Sequence, residues 1–396
     1  MSGPEALRAR AASVVTNAAL ALVSFILSLL VCEAVARLLL PPPQAVKVEE
    51  VPKPDWAKYR RRDVAAEGTI RPVVLFRGPR GVRLRPNTVA TIRKHALSGR
   101  DVTIRVNALG LRYDELPPKG TDEFRVLVLG DSITFGDFLP EDETWTRRME
   151  ALVLGRPKRI RFVNAGLPGA GTLEEFWLFQ EIKDVAKPDL VLVGMYLNDA
   201  QNASRFYVGA LGEPWGKSRF LTWAAMRLHL LEKGWFRDSA PGSIDPRWRE
   251  EFRAGRDLRA GNMFGSRDGF DYEIYNAYMD FGLGWNPRAW EEIGKILESL
   301  KRAVDASGAR LAVSLFPVHI QVLGTVEDFR PQESARALCV RLAVPFHDPL
   351  PALRADWAGR HEEILFDHCH YTPYGYELLA RRTVAWLDAG RLIPAS

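Results

Sequence analysis

Cysteine is scarce in this 396-residue chain, with only Cys32, Cys339 and Cys369. Three cysteines at these positions give no metal-ligand spacing and no disulfide framework, and leave open one Cys339–Cys369 bridge. No block of lysine or arginine stands out. The 54 basic and 49 acidic residues are spread along the chain for a net charge of +5, so no nucleic-acid partner is indicated. Internal repeats are missing as well, which excludes solenoids and propellers. What remains is ordinary for a folded protein: 47% hydrophobic and 26% charged residues. The length suits one large α/β domain with additions, or two domains.

One stretch is not ordinary. From Ala12 to Cys32 there is no charged residue, and the run includes Leu20-Ala21-Leu22-Val23-Ser24-Phe25-Ile26-Leu27. As a helix this spans a hydrocarbon core. A buried core helix is rarely apolar all round at this length. A cleaved signal peptide is the sharper rival, but Glu33-Ala34-Val35-Ala36 makes a poor cleavage site and the apolar run is long for one. The reading is therefore an uncleaved transmembrane anchor over 12–32. Arg8 and Arg10 on one side and Arg37, Lys47 and Lys53 on the other do not fix its orientation. The short amino-terminal tail argues for a cytoplasmic start, with the bulk of the chain on the extracytoplasmic side.

Pro41-Pro42-Pro43 stops the helix, and 33–66 reads as a stalk or linker. Residues 67–120 read as a small β-rich extension, in which Thr88–Arg93 and Asp101–Val106 form a hairpin by their period-two alternation. Beyond it strands alternate with helices. Strands are expected at 124–130, 160–164, 190–196, 310–316 and 343–347, and helices at 145–154, 173–185, 290–305 and 374–387. That order argues for a parallel sheet covered on both faces. An interruption at about 200–288 holds Trp215, Trp223, Trp235, Trp248 and Trp285. Its rings serve either as a lid meeting a sugar or an acyl chain, or as the core of an inserted subdomain, the blander reading and the preferred one.

The chain is organised around Phe124-Arg125-Val126-Leu127-Val128-Leu129-Gly130-Asp131-Ser132-Ile133-Thr134-Phe135-Gly136. A continuous apolar run ending in glycine is the pattern of a strand buried on both faces. Ligands gather at the carboxyl ends of such strands, where Ser132 stands. Gly130-Asp131-Ser132 with Thr134 and Gly136 resembles the first block of the SGNH hydrolases, also called GDSL esterases and lipases. Three further segments resemble that family's later blocks in order: Asn164–Thr172 with Gly169 or Gly166, Asn198-Asp199, and Asp367-His368-Cys369-His370. Taken singly, these are a turn, another turn, a strand-end cap and a histidine pair. One departure is Tyr196, where the family pattern has glycine. The Gly-x-Ser-x-Gly elbow of α/β-hydrolases is absent around Ser132.

Acyl transfer to serine needs a base on the hydroxyl, a group holding that base, and donors for the oxyanion. The Asp-x-x-His spacing lets Asp367 bond the imidazole of His370. His368 competes as base, but adjacent side chains point apart, which favours His370. The resemblance implies a flavodoxin-like three-layer sandwich carrying a serine esterase. In it Ser132 is nucleophile, His370 base and Asp367 its orienter, with the N–H groups of Ser132 and Gly169 and the amide of Asn198 as oxyanion donors. No metal or other cofactor is expected. The substrate class expected from the anchor and the aromatic segment is an O-acyl ester on a small molecule or a cell-envelope glycan. An O-acyltransferase using the same serine, and a non-catalytic glycan-binding or scaffold protein, are the alternatives.

Overall fold

Eight consecutive residues, Glu123–Gly130, are buried without a break, and the reason is their position inside a five-stranded sheet. A computed structural model describes residues 4–39, 60–199, 218–224 and 284–395, apart from positions 69, 71–72, 79–80, 222–223, 286, 325–326 and 362. In chain order the strands are β1 (Arg62–Glu67), β2 (Val74–Gly78), β3 (Gly81–Leu84), β4 (Thr88–Arg93), β5 (Val102–Val106), β6 (Glu123–Gly130), β7 (Arg159–Gly166), β8 (Leu190–Met195), β9 (Arg310–Leu315) and β10 (Phe346–His347). The described helices are α1 (Pro4–Leu39), α2 (Ser132–Phe135), α3 (Trp145–Leu152), α4 (Thr172–Ala186), α5 (Pro287–Ala306), α6 (His319–Val322), α7 (Arg330–Arg341), α8 (Leu350–Arg360) and α9 (Pro373–Ala389).

The main sheet runs β10-β9-β8-β6-β7, every pair parallel. Counted by appearance this is the order 2-1-3-4-5, the doubly wound flavodoxin-like arrangement, whose ligand crevice opens where the order reverses, outside β6 and β8. Helices α4, α5 and α7 pack on one face; α3, α8 and α9 group on the other. The result is the expected three-layer sandwich. Leu190–Met195 is buried throughout, like β6, as aliphatic strands covered on both faces must be.

The chain divides into two units, Met1–Lys47 with Arg205–Asp238 and Val48–Ser204 with Ser239–Ser396. In the first, α1 is long and apolar enough to cross a membrane over Ser13–Leu39. Its apolar side chains stand exposed, Leu20, Phe25 and Leu30 each by about 60%. Glu33, a charge near its end, accepts hydrogen bonds from Ser218 Oγ at 2.6 Å and from the N–H groups of Arg219 and Phe220. The helix thus continues past Cys32 into the segment expected as linker, and β1 begins inside that segment's other end.

In the second unit β1, β4 and β5 form one small sheet and β2 and β3 a hairpin. The expected β4–β5 hairpin is there, Thr88 opposite Val106. This extension is stitched to the main domain by buried charge. Arg83 meets both oxygens of Glu181 on α4 at 2.9 Å, and the Tyr113 hydroxyl donates to Glu150 on α3 at 2.8 Å. Most of the aromatic segment 200–288 lies outside the described residues. At its edge Trp285 is buried, as is Trp290, whose indole donates to the Gly284 carbonyl at 2.8 Å. All three cysteines are thiols, so Cys339 and Cys369 form no bridge. Burial pushes the Cys339 thiol up to about 12.

One buried histidine makes stability pH-dependent. His347, on β10, bonds Ser314 Oγ at 3.0 Å and stacks on Trp386 at 5.0 Å. Burial lowers its pKa from 6.5 to about 4, so the fold holds it neutral while the unfolded chain protonates it near 6.5. The contribution is complete above pH 6.5 and is lost as pH falls from there toward 4, by about 3 kcal/mol in all. Denaturant unfolding at about pH 7 and about pH 4.5 is expected to show that fall, and to show it reduced in His347→Gln. An equal fall in the variant would assign the loss to other groups.

Candidate active site

The site grows from the turn after β6. Asp131 Oδ1 accepts the Ile133 N–H at 2.8 Å, capping the single-turn helix α2. Ser132 is its first residue, so its N–H lies among the amides with no partner within the helix. Gly136 ends the turn at φ 65°. Side chains from three distant segments then hold the carbonyls of α2. Asn164 Nδ2 donates to Thr134 O at 3.0 Å, Arg112 to Phe135 O at 2.9 Å, and the Tyr376 hydroxyl to Ile133 O. Arg112, buried and on the extension, also donates to the Gly136 carbonyl and to Leu139 O.

Beneath α2 the sheet is bare. The register aligns Gly166, Gly130 and Gly194 on three adjacent strands. A Cβ on Gly130 would stand 2.1 Å from Thr134 Oγ1, one on Gly194 2.6 Å from the same atom, and one on Gly166 2.3 Å from the Phe135 nitrogen. The row of missing side chains is the seat in which the turn of Ser132 lies.

The partners arrive from the other end of the chain. The loop 366–370 is closed by the Leu365–Tyr371 bridge. Asp367 Oδ1 accepts from the N–H groups of Cys369 at 2.8 Å and His370 at 2.7 Å. Its Oδ2 lies 2.6 Å from His370 Nδ1, and His370 Nε2 lies 3.0 Å from Ser132 Oγ. Ser132, His370 and Asp367 are thus one connected line. His368, the competing base, sits 6.4 Å from His370 between ring centres. Phe138 meets the His370 ring edge-on at 5.1 Å.

The electrostatics follow from this pairing. Burial by itself raises the Asp367 pKa, but the positive charge of His370 and His368 and the bonds from His370 outweigh it and hold the carboxyl far below the usual range. Burial lowers that of His370, yet the Asp367 charge and hydrogen bond raise it to about 9. The site therefore favours imidazolium, the species formed when Ser132 gives up its proton. Only the neutral imidazole can take that proton, and its share grows as pH rises.

Of the two glycines expected as oxyanion donors, Gly166 has its N–H on Asn164 Oδ1 at 3.0 Å. Gly169, at φ 68° with open space where a Cβ would be, is the one exposed at the loop tip. Asn198 follows β8 half-buried, its Oδ1 without a partner among the described residues. Sequence reasoning missed five contributors: Arg112, Tyr376, Phe138, and the buried pair of His95 and Asp137 at 3.1 Å beside Phe138. It also missed a cluster of buried acids. Burial, the Asp131 charge and Glu174 push Glu175 well up, and burial with Glu175 and Asp131 does the same to Asp199.

No protein-family profile and no curated protein matches the chain. Solved structures do. A lipase/acylhydrolase from Enterococcus faecalis is 16% identical with a TM-score of 0.39, covering 69% of this chain and 99% of its own. A member of the lipolytic G-D-S-L family from Veillonella parvula is 13% identical with a TM-score of 0.37, covering 66% and 97%. The esterase EstA from Pseudoalteromonas, in a structure inhibited by monoethylphosphonate, is 11% identical with a TM-score of 0.37, covering 68% and 99%. Likenesses this faint decide nothing; the fold rests on the strand order and the site on its distances. In strand order and motif placement the chain resembles the SGNH hydrolases.

Proposed function

We propose that the protein is a serine ester hydrolase acting through an acyl-serine intermediate. The observation that carries this is the unbroken line from Ser132 Oγ through His370 to Asp367, with contacts of 3.0 and 2.6 Å. Ser132 Oγ attacks the ester carbonyl while His370 Nε2 takes its proton. The imidazolium, stabilised by Asp367, then protonates the departing alcohol. Water attacks the acyl-serine by the same path in reverse roles and releases the acid. The N–H groups of Ser132 and Gly169 and the amide of Asn198 hold the oxyanion in both halves. In this reading α1 is an uncleaved anchor and the catalytic unit lies outside the cytoplasm, facing an O-acyl ester on a cell-envelope glycan or small molecule. A transferase would differ only in handing the acyl group to a sugar hydroxyl, so acid release without an acceptor separates the two.

The test is labelling of the full chain, solubilised in detergent, by a fluorophosphonate probe. Labelling is expected for the parent and expected to vanish in both Ser132→Ala and His370→Ala. A folded parent that takes no label would instead favour a binding or scaffold role.

A further inference from the structure

The loop that carries the base also assembles a metal-ligand set. Asp367, Cys369 and His370 place a carboxylate oxygen, Sγ and Nδ1 within 4.8 Å of one another. Cys369 Sγ lies 3.5 Å from His370 Nδ1. Two ligands on one tetrahedral zinc, with Zn–S of about 2.3 Å and Zn–N of about 2.0–2.1 Å, stand about 3.5 Å apart. The sulfur and the nitrogen already stand at that separation. Asp367 Oδ2, now 2.6 Å from Nδ1 in a hydrogen bond, must open by roughly 0.8 Å to become the third ligand. Thiolate with imidazole selects zinc or cadmium over magnesium and calcium. Cys369 is buried, but the His370 side chain is 20% exposed and gives an approach.

We propose that Asp367, Cys369 and His370 form an inhibitory site for zinc, or for a soft divalent ion like it. This rests on the reading of His370 as base. The metal binds at Nδ1, the nitrogen that faces Asp367, and not at Nε2, which faces Ser132. A neutral imidazole holds one proton, and with Nδ1 on the metal that proton sits on Nε2. Ser132 Oγ then faces an N–H and has no acceptor for its own proton. The balance is this: the metal loses coordinated waters and gains bonds to sulfur, nitrogen and oxygen, the Cys369 thiol gives one proton to solvent, and where His370 starts as imidazolium its Nδ1 proton leaves as a second. Nothing is oxidised, so a chelator restores the resting tautomer.

The experiment uses the full chain in detergent with two independent readouts. The first is cobalt(II) binding, followed by its thiolate charge-transfer absorbance. The second is hydrolysis of p-nitrophenyl acetate with and without zinc, then with chelator. Zinc is expected to suppress hydrolysis by at least about tenfold and chelator to restore it. In Cys369→Ala hydrolysis persists, the cobalt absorbance disappears, and the zinc needed for half inhibition rises by roughly tenfold or more. Should that variant fail to fold, Cys369→Ser carries the same test. Zinc-insensitive hydrolysis by the parent, or a cobalt signal that survives the Cys369 replacement, overturns the proposal. If the parent neither hydrolyses ester nor takes the fluorophosphonate label, the esterase reading fails by itself, and the metal site stands or falls on the cobalt signal.

Discussion

Replacing Asp367 by asparagine is expected to lower kcat by about 10⁴-fold while leaving the fold intact. The size of the effect follows from which atom goes where. Oδ1 of Asp367 accepts two backbone N–H groups, from Cys369 and His370. An asparagine keeps its carbonyl there, because its NH₂ cannot accept. The NH₂ is then turned to His370 Nδ1 and donates to it. That forces the imidazole proton onto Nε2, against Ser132, and the base is lost by tautomer with every distance preserved. Steady-state hydrolysis of p-nitrophenyl acetate, with thermal unfolding as the control for folding, checks this. A drop of only about tenfold would mean that Asp367 orients the ring without choosing its tautomer.

Gly166→Ala is the second large effect. A Cβ there would stand 2.3 Å from the Phe135 nitrogen and 2.7 Å from the Thr134 carbonyl carbon. These are backbone atoms of the turn that carries Ser132, which three side chains hold in place, so the clash cannot relax through a rotamer. The expected cost is about 3 kcal/mol in stability, together with loss of fluorophosphonate labelling as α2 is lifted from the sheet. Gly308→Ala, in the turn before β9, is the internal control. Open space surrounds that position, and only its left-handed backbone resists, at about 1–2 kcal/mol. Comparable losses of labelling in both would show that the seat under α2 is not what fixes Ser132.

Much of this was legible in the residues, and the exceptions have causes. Val126–Leu129 announced a strand buried on both faces because only such strands lack a polar side. The Asp-x-x-His spacing announced a paired imidazole because three residues suffice to fold a carboxylate back onto the ring. The glycine row was not legible. Gly130, Gly166 and Gly194 become one surface only through the register of three strands, and register belongs to pairs of segments far apart in sequence. Arg112, Tyr376 and His95 were hidden for the same reason, since each acts on a backbone or carboxylate tens to hundreds of positions away. Helices α7 and α8 went unread because their apolar stripes are thin, with Leu338 and Cys339 or Leu350 and Leu353 buried among exposed polar neighbours. The last strand was read at 343–347, of which only Phe346 and His347 pair with β9 as β10.

The line from Ser132 to His370 joins residues 238 positions apart, and Tyr376 adds a second bond across nearly the same interval. A ribosome making this chain finishes β6 and Ser132 long before it makes His370. A nascent chain ending anywhere before Asp367 therefore has a serine with no proton acceptor and a turn lacking one of its three clamps. The proposed line closes only once Asp367, His370 and Tyr376 have been made. Until those residues are made the serine has no base beside it, and in the proposed reading the growing chain cannot form an acyl-serine.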